Sequence, residues 1–221
     1  MRNQCLNLPE PVKKYFNLVL PNNPSLIKKV RLNHNGFFKT SPQSDWVKIQ
    51  GKQYFKTEVP EFEWIGRTKL FKATDSFMNG KGRLKVKLLG VIPIVNAKGS
   101  EIDQAELLRW LGESVLFPTN LLPGNGISWH PLDMDHARLN YRFRDLDISY
   151  TVTFNYNGEI SKIEALRYRE KEKLERWVGK TSDYMDFNGY MVPSHIEASW
   201  FIGKEEFRYV DFRVKTIKYI F

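Results

Sequence analysis

The sequence contains five Asn-Gly dipeptides, and this feature constrains the fold most strongly. They stand at 35–36, 79–80, 125–126, 157–158 and 188–189. Asn-Gly between alternating apolar and polar residues is the strongest short-range signal for a β-hairpin, because both central positions of the tight turn need a positive φ. Distributed along 221 residues, these dipeptides predict an antiparallel sheet built from hairpins.

The hairpin predicted at Asn79-Gly80 has a basic outer face and an apolar inner face. Pairing the two strands outward from this turn places four alternate cations on the outer side: Lys81, Arg83, Lys85 and Lys87. Phe71 and Phe77 fall on the inner side, together with one carboxylate, Asp75. Burying an unpaired carboxylate is very costly, so we expect Asp75 to have a partner or to remain near water. A slip of one residue in the pairing would move it to the outer face.

A second hairpin is predicted at Asn157-Gly158, again with one buried and one solvated face. With a two-residue turn, the inner face receives Ile148, Tyr150, Val152, Phe154, Tyr156, Ile163 and Ala165. The residues between them are mostly polar, and this separation is typical of antiparallel sheets that cover a core on one side.

Further strands and two helices follow from the remaining pattern. The strands are predicted at 26–34, 46–57, 62–75, 136–143, 172–186, 190–202 and 205–220. One helix is expected over 9–19, where a proline in the first turn precedes apolar residues at helical spacing. The other is expected over 101–116 and ends before Phe117-Pro118, because a residue before proline avoids the α region.

These elements predict an α+β fold in a single domain spanning 1–221. The sheet would take residues 26–90 and 127–221 in roughly nine or ten strands, more than a flat open sheet usually carries. We therefore expect a strongly curved half-barrel, with the central amphipathic helix on its concave, apolar face and the other helix at the N-terminus.

Composition narrows the functional classes only slightly. The net charge of +9 favours attraction to anionic surfaces. The sequence has no apolar run long enough to span a membrane, no signal-peptide pattern at its start, and a single cysteine, Cys5, which excludes an internal disulfide. These features predict a cytoplasmic protein, although a chain trimmed of a leader would look the same.

The helix at 101–116 carries a polar stripe made of Glu106, Arg109 and Glu113, and most of its remaining surface is apolar. An exposed Arg109–Glu113 pair, four residues apart, is one interpretation and would contribute a few tenths of a kcal/mol. In the other, Arg109 pairs with inward-facing Asp75 at the mouth of an apolar cavity. In that cavity, Phe71, Phe77 and Trp110 would make apolar contacts with a ligand, while Asp75, Arg109 and Glu113 would bind its polar head.

Other chemical signals are weaker. The segment HPLDMDH at 130–136 has residue types that bind metals, but no established metal-site spacing, so we predict no metal site. No nucleotide-binding, hydrolase or zinc-protease motif is present, and no cofactor or catalytic residue is predicted. The four cations of 81–87 form a ladder with spacing suited to phosphates, so an anionic membrane surface is a candidate partner; a nucleic-acid partner is not expected.

The sequence resembles an uncharacterised bacterial domain family of unknown function, over nearly its whole length. The matching stretches include LPEPVKKYF at 8–16, MNGKGRLKVKLLG at 78–90, EIDQAELLRWLGESVLFPTNLLP at 101–123 and WVGKTSDY at 177–184. The family pattern looks like the curved half-barrels of bacterial lipoprotein carriers, a fold that can enclose an acyl chain. The acid of the family hairpin is usually preceded by arginine, whereas Thr74 precedes Asp75 here.

The resulting functional prediction is non-catalytic binding of a lipid, a fatty acid or a similar amphiphile on the concave face of the sheet. Two alternatives remain open. One is an enzyme of unknown reaction that uses Asp75, Arg109, Glu113 or His136, and the other is a protein that binds an anionic surface or a partner through the basic ladder. Ligand identity and oligomeric state are not determined by the sequence.

Overall fold

The computed structural model describes residues 7–170 and 172–221, so Cys5 lies outside the described residues. It contains two α-helices, α1 (Glu10–Val19) and α2 (Ser100–Glu113), and two short 3-10 helices at Ser114–Leu116 and Pro118–Leu121. Thirteen strands complete the fold: β1 (Lys29–Phe38), β2 (Val47–Lys56), β3 (Glu61–Arg67), β4 (Phe71–Met78), β5 (Lys81–Leu88), β6 (Ile92–Ala97), β7 (Ile127–Pro131), β8 (His136–Phe143), β9 (Leu146–Phe154), β10 (Ile160–Glu170), β11 (Lys173–Phe187), β12 (Tyr190–Ile202) and β13 (Glu205–Ile220).

All thirteen strands belong to one open antiparallel sheet. Their order is β6-β5-β4-β3-β2-β1-β13-β12-β11-β10-β9-β8-β7. The chain therefore moves from the centre to one edge at β6, and returns from the other edge at β7 until β13 pairs with β1. Helix α2 lies between β6 and β7 in the sequence, so it is the connection that joins the two edges across one face of the sheet.

The sheet curves around α2, as the sequence predicts. The helix packs against β4 and β5 near one edge and against β9 and β10 near the other. In a flat sheet β5 and β10, which are eight strand positions apart, would be separated by about 38 Å, whereas a helix with its side chains is about 10–12 Å wide. Contact with both sides is therefore only compatible with a sheet that wraps around the helix. None of the described helices has the length and apolarity needed to cross a bilayer.

The structure confirms the α+β curved sheet but has more strands than the predicted nine or ten. The segment 62–75 forms two strands, because Thr68 turns the chain and its hydroxyl accepts hydrogen bonds from the backbone N–H groups of Leu70 and Phe71. The edge strands β6 and β7 are short and were not predicted individually. The central helix is α-helical to Glu113 and continues as a 3-10 turn to Leu116.

The Asn-Gly dipeptides have different roles in the structure. Asn79-Gly80 is the predicted two-residue turn, with Met78 paired to Lys81 and positive φ at both central residues. The hairpin expectation is wrong at Asn35-Gly36, which lies inside β1. A Cβ atom at Gly36 would stand 2.1 Å from the carbonyl oxygen of Asp211, so close approach of β13 explains this glycine.

The hairpin at Asn157-Gly158 has a wider loop than the predicted two-residue turn. Strand β9 ends at Phe154 and β10 begins at Ile160, so Tyr156 lies in the loop and is exposed, whereas the sequence placed it on the inner face. Beyond the loop the predicted pairing holds, for example between Val152 and Ile163.

Candidate functional site

A polar network lies where α2 meets the inner face of β4. The guanidinium of Arg109 donates to Asp75 and, through Nε, to Glu113 Oε1 at 3.2 Å. Gln53 donates its side-chain amide to the other oxygen of Glu113. The side chains of Asp75, Arg109 and Glu113 are 12%, 17% and 24% exposed, so solvent reaches the network from one side. The predicted ion pair between Arg109 of the helix and Asp75 of the hairpin is therefore present, and Arg109 pairs with Asp75 and Glu113 at once.

Arg109 rests on an aromatic floor. Its guanidinium carbon is 5.0 Å from the centre of the Trp64 ring, within cation–π range. The indole lies flat over Gly66, where a Cβ atom would stand 2.2 Å from the Trp64 ring, and its N–H donates to His34 Nε2 at 2.8 Å. His34 in turn lies over Gly51 and stacks against Phe212. We call Arg109, Trp64, Gly66 and His34 the Arg109 stack.

The network changes the proton affinity of its members. Burial raises the pKa of Glu106 well above its usual value, and the negative charge of Asp75 raises it further. Burial also raises the pKa of Glu113, although Arg109 opposes this shift. For His34, burial and then the positive charge of Arg109 lower the pKa to about 3, so the ring is neutral at physiological pH and its Nε2 is free to accept the bond from Trp64.

A second arginine occupies an equivalent place on the same inner face of the sheet, beyond β1 and β13. Arg167 of β10 is buried, its guanidinium carbon is 4.7 Å from the centre of the Trp177 ring, and its NH2 group donates to the carbonyl of Ala105 in α2 at 2.9 Å. Trp177 lies over Gly179 and donates its indole N–H to the Tyr209 hydroxyl at 3.0 Å. We call Arg167, Trp177, Gly179 and Tyr209 the Arg167 stack.

The sequence reasoning did not anticipate the Arg167 stack, although a signal for it exists. The tripeptides WIG at 64–66 and WVG at 177–179 repeat the pattern Trp-x-Gly. Residues i and i+2 of a strand point to the same face, so glycine leaves room for the indole to lie along its own strand. The free face of such an indole can then contact a cation from an element that packs on the strand.

Half-exposed apolar side chains continue the inner face beyond the network. They run from β4 through β1 and β13 to β12 and are Phe71, Phe38, Val210, Phe212, Tyr209 and Trp200. The Phe38 and Phe71 rings are 5.8 Å apart, Phe38 pairs with Val210 across the strands, and Trp200 stacks on Tyr209. We call these six residues the apolar shelf. These side chains are partly exposed, so α2 does not fully cover this part of the concave face.

Of the predicted ligand contacts, one lies on the apolar shelf and the others lie in the region that α2 covers. Phe71 belongs to the apolar shelf. Phe77 and Trp110 are fully buried beneath and within α2, and the indole N–H of Trp110 donates to the carbonyl of Lys56. Their contact with a ligand stays a prediction and would require α2 to move.

The basic ladder lies on the outer face, but its members differ. Lys81 forms an ion pair with Asp103 of α2 at 2.9 Å, and Arg83 donates to the side chain of Asn96 at 3.1 Å. The ion pairs among the described residues do not include Lys85 or Lys87. Among the described residues, the ladder charges without an ion pair are therefore those of Arg83, Lys85 and Lys87.

His136 and the segment around it lie apart from the network. The residue begins β8 on the outer face, and its Nδ1 is 2.8 Å from Asp133 in the same turn, so the structure does not bring it to Asp75 and Arg109. No residue of the network is arranged with His136 for acid–base chemistry.

His195 is less isolated than the sequence indicated. Its Nε2 is 3.0 Å from Asp211 and its Nδ1 is 3.2 Å from Ser182 on the outer face. His195, Glu197 and Asp211 bring possible metal-ligating atoms within 4.8 Å of one another. Glu197 is occupied by Arg208, so these groups already have protein partners.

Three surface clefts, of about 450, 760 and 480 Å³, open away from the network. The first is where β9 and β10 separate, and the second is a basic groove on the outer face between β3 and β13. Most of the residues that line them are polar or charged by type, and neither Asp75 nor Arg109 is among them. The apolar shelf remains the better candidate for an apolar ligand because of its composition.

Comparisons with known proteins agree with the fold. A family model described as a family of unknown function (DUF6544) matches residues 1–212. Among solved structures, a LolA superfamily protein from Nitrosomonas europaea is 11% identical with a TM-score of 0.50, covering 94% of this chain and 91% of that chain. At this identity the likeness concerns the fold alone.

Two further solved structures superpose less closely. A domain provisionally named an outer membrane lipoprotein-sorting protein, from Vibrio parahaemolyticus, is 8% identical with a TM-score of 0.48, covering 87% of this chain and 85% of that chain. A DUF1329 family protein from Desulfovibrio piger is 12% identical with a TM-score of 0.42, covering 87% and 86%. No curated protein matches the sequence.

Proposed function

The chain belongs to the family of unknown function DUF6544, and we propose that it binds a lipid or fatty acid on the apolar shelf without catalysing a reaction on it. The observation that carries the proposal is the shelf itself: six apolar or aromatic side chains left half-exposed on the concave face of a curved sheet. Concave, mostly apolar surfaces with a few polar groups are the usual form of small-molecule sites.

The Arg109 stack supports an amphiphilic ligand over a purely apolar one. Phe212 of the shelf stacks on His34, which connects the shelf to Trp64 and hence to Arg109. Asp75 Oδ1 and Glu106 Oε2 are buried in this neighbourhood, and the raised pKa of Glu106, to which a hydrogen bond with Asp75 contributes, lets a proton on Glu106 be donated to Asp75. The feature that favours a polar head group is therefore the Arg109 guanidinium, which these contacts connect to the shelf.

The likeness to the LolA superfamily supports the proposal only through geometry. The sheet is open because its edge strands β6 and β7 do not pair, and α2 lies across that opening, so an acyl chain would lie along the part of the concave face beside the helix. For the enzyme alternative, Asp75, Arg109 and Glu113 lie together, whereas His136 lies apart from them on the outer face.

Binding of a dansyl-labelled long-chain fatty acid, followed by fluorescence titration, tests the proposal. Phe38 and Phe37 are neighbours on β1, with Phe38 on the shelf and Phe37 on the outer face. We expect Phe38→Ser to weaken binding about tenfold or more, since losing one buried aromatic contact removes about 1.5–3 kcal/mol. The matched variant Phe37→Ser should bind as the unmodified protein does.

Native mass spectrometry and solvent extraction of the purified protein supply an independent measurement. A co-purified lipid that Phe38→Ser loses and Phe37→Ser retains would agree with the proposal. The absence of both co-purified lipid and saturable fatty-acid binding would overturn it, as would equal losses in the two phenylalanine variants.

A further inference from the structure

The corner of the sheet formed by β4, β5 and β6 exposes a group of aliphatic side chains. Six of the eight residues from 88 to 95 are exposed leucine, valine or isoleucine, and Leu70 in the neighbouring turn is exposed as well. The two turns are joined, because the backbone N–H of Leu89 donates to the carbonyl of Leu70 at 2.7 Å. The aliphatic rim consists of Leu70, Leu88, Leu89, Val91, Ile92, Ile94 and Val95.

The backbone conformation at position 89 is an unfavourable one for leucine. Leu89 has φ 50° and is followed by Gly90 with φ 77°. Among the other turns, asparagine takes this left-handed conformation at Asn79, Asn125 and Asn188, and Arg144 takes it between β8 and β9. Left-handed φ is costly for leucine and much less so for asparagine or glycine. A strained leucine that is 65% exposed therefore suggests a role for its side chain outside the fold.

Cations line the outer face beside the aliphatic rim. Lys72 lies opposite Lys87 on one side and opposite Arg67 on the other, and Lys69 lies in the turn between β3 and β4. None of the ion pairs formed among the described residues includes these four cations. Like charges directly opposite in a sheet are destabilising, so this arrangement also exists at a cost to the fold.

We propose that this corner docks on an anionic lipid bilayer. The aliphatic rim enters the interface between head groups and acyl chains, and Arg67, Lys69, Lys72 and Lys87 face the lipid phosphates. An exposed apolar group bordered by basic residues is the combination that peripheral membrane binding requires. A nucleic-acid partner fits less well, since single strands bind through aromatic stacking and the exposed residues of the rim are aliphatic.

The position of the rim gives docking a further consequence, which rests on the proposed function. Leu88 pairs with Phe71, so the rim adjoins the apolar shelf. A protein docked by this corner holds the proposed ligand surface beside the bilayer, from which a lipid can be taken up or to which it can be delivered. The docking itself does not depend on this consequence.

Co-sedimentation with vesicles of phosphatidylcholine, with and without phosphatidylglycerol, tests the docking. We expect binding only when phosphatidylglycerol is present and a steep loss of binding as salt increases. Lys72→Glu combined with Lys87→Glu should weaken it at least tenfold. Lys29→Glu combined with Lys218→Glu changes the net charge equally on the outer face of β1 and β13, and should change binding less than twofold.

Leu89→Asn isolates the contribution of the rim. Asparagine suits the left-handed turn, so the melting temperature should stay the same or rise while vesicle binding falls several-fold. Val59→Asn, at an exposed valine in the turn between β2 and β3, is the matched control and should bind vesicles normally.

Three results would overturn the docking proposal. They are binding that does not depend on phosphatidylglycerol, equal losses in the rim variants and their controls, and tight binding of a mixed-sequence single-stranded oligonucleotide that phosphatidylglycerol vesicles do not displace. Fatty-acid binding in the absence of vesicles is expected to be unchanged in all four variants. Failure of the docking proposal and failure of the proposed function are therefore separately visible.

Discussion

The Arg109 stack and the Arg167 stack are built alike on opposite sides of the pair β1 and β13. In each, a tryptophan lies over the glycine two residues later and donates its indole N–H to a residue two strands away, and a guanidinium rests on the ring. The stacks differ in what surrounds the cation. Arg109 contacts two carboxylates, whereas the direct polar contact of Arg167 among the described residues is the Ala105 carbonyl.

This difference shows that the indole beneath each arginine and the carboxylates around it have separate origins in the sequence. The Trp-x-Gly tripeptide belongs to a single strand and forms the same floor twice. The carboxylates around Arg109 come from two different elements, Asp75 from β4 and Glu113 from α2. Local sequence therefore explains the resemblance between the stacks, and the path of α2 across the sheet explains the difference.

The largest expected effect comes from removing each cation in turn. Arg109→Met leaves Asp75 and Glu113 without their partner in a mostly buried place, and should reduce the free energy of unfolding by about 3–5 kcal/mol at pH 7. Arg167→Met removes one hydrogen bond and the cation–π contacts with Trp177 and Trp200, so we expect a loss of about 1–3 kcal/mol. Urea denaturation of both variants measures the difference.

Repeating the urea denaturation at lower pH tests why the two arginine variants differ in stability. The deficit of Arg109→Met should shrink between pH 7 and pH 5, because burial raises the pKa of Glu113 and its protonation removes a stranded charge. Arg31→Met, on the outer face of β1, serves as the control for loss of one positive charge. A deficit in Arg167→Met as large as that in Arg109→Met would contradict the contrast drawn between the stacks.

An intermediate effect is expected from filling the floor of each stack. A Cβ atom at Gly66 would be 2.2 Å from the Trp64 ring and 2.9 Å from Ile49, and one at Gly179 would be 2.8 Å from the Trp177 ring. Overpacking of this kind typically costs 1–3 kcal/mol, so we expect about 2–3 kcal/mol for Gly66→Ala and about 1 kcal/mol for Gly179→Ala. Thermal unfolding followed by tryptophan fluorescence measures both.

A compensating substitution shows whether the ring is responsible. Phe is smaller than Trp, so Trp64→Phe combined with Gly66→Ala should lose less stability than the sum of the two single variants. Additive losses would mean that the alanine acts on something other than the indole.

The last expected effect depends on pH and concerns Glu106, whose charge interacts with both arginines. Its folded pKa is raised, so above its unfolded value of about 4.5 the folded protein holds a proton that the unfolded chain releases. Stability from this group is therefore lost as pH rises through that window. Glu106→Gln stays neutral, and its stability relative to the unmodified protein should increase with pH by about 1 kcal/mol per unit. Urea denaturation between pH 4.5 and 7 tests this, and a difference that falls with pH would refute it.

The face on which each site residue lies could largely be predicted from the sequence, because side chains alternate between the two faces along a strand. Alternation around Asn79-Gly80 sets the pairing of β4 and β5, and thereby turns Asp75 inward opposite Leu84, as the structure confirms. Helical spacing likewise puts Arg109 and Glu113 on one side of α2. Whether these two sets of residues meet depends on how the helix lies on the sheet, which no local pattern specifies.

The predictions that failed, and the contacts that were not predicted, also have physical causes. Asn35-Gly36 has the composition of a turn, yet its glycine serves the close approach of β13, a strand that lies more than 170 residues away in the sequence. The Arg167 stack needs Trp177, Tyr209 and Ala105 from three distant elements, so only its Trp-x-Gly part could be recognised beforehand.

The sequence by itself determined the hairpins, the faces of the strands, the two helices and the curved α+β sheet, because turn chemistry and side-chain periodicity act over a few residues. The tertiary structure decided that α2 connects the two edges of the sheet, that Arg109 pairs with Asp75, and that the apolar shelf remains partly exposed. Those facts depend on the packing of elements far apart in the chain, where burial and charge pairing over the whole core select one arrangement.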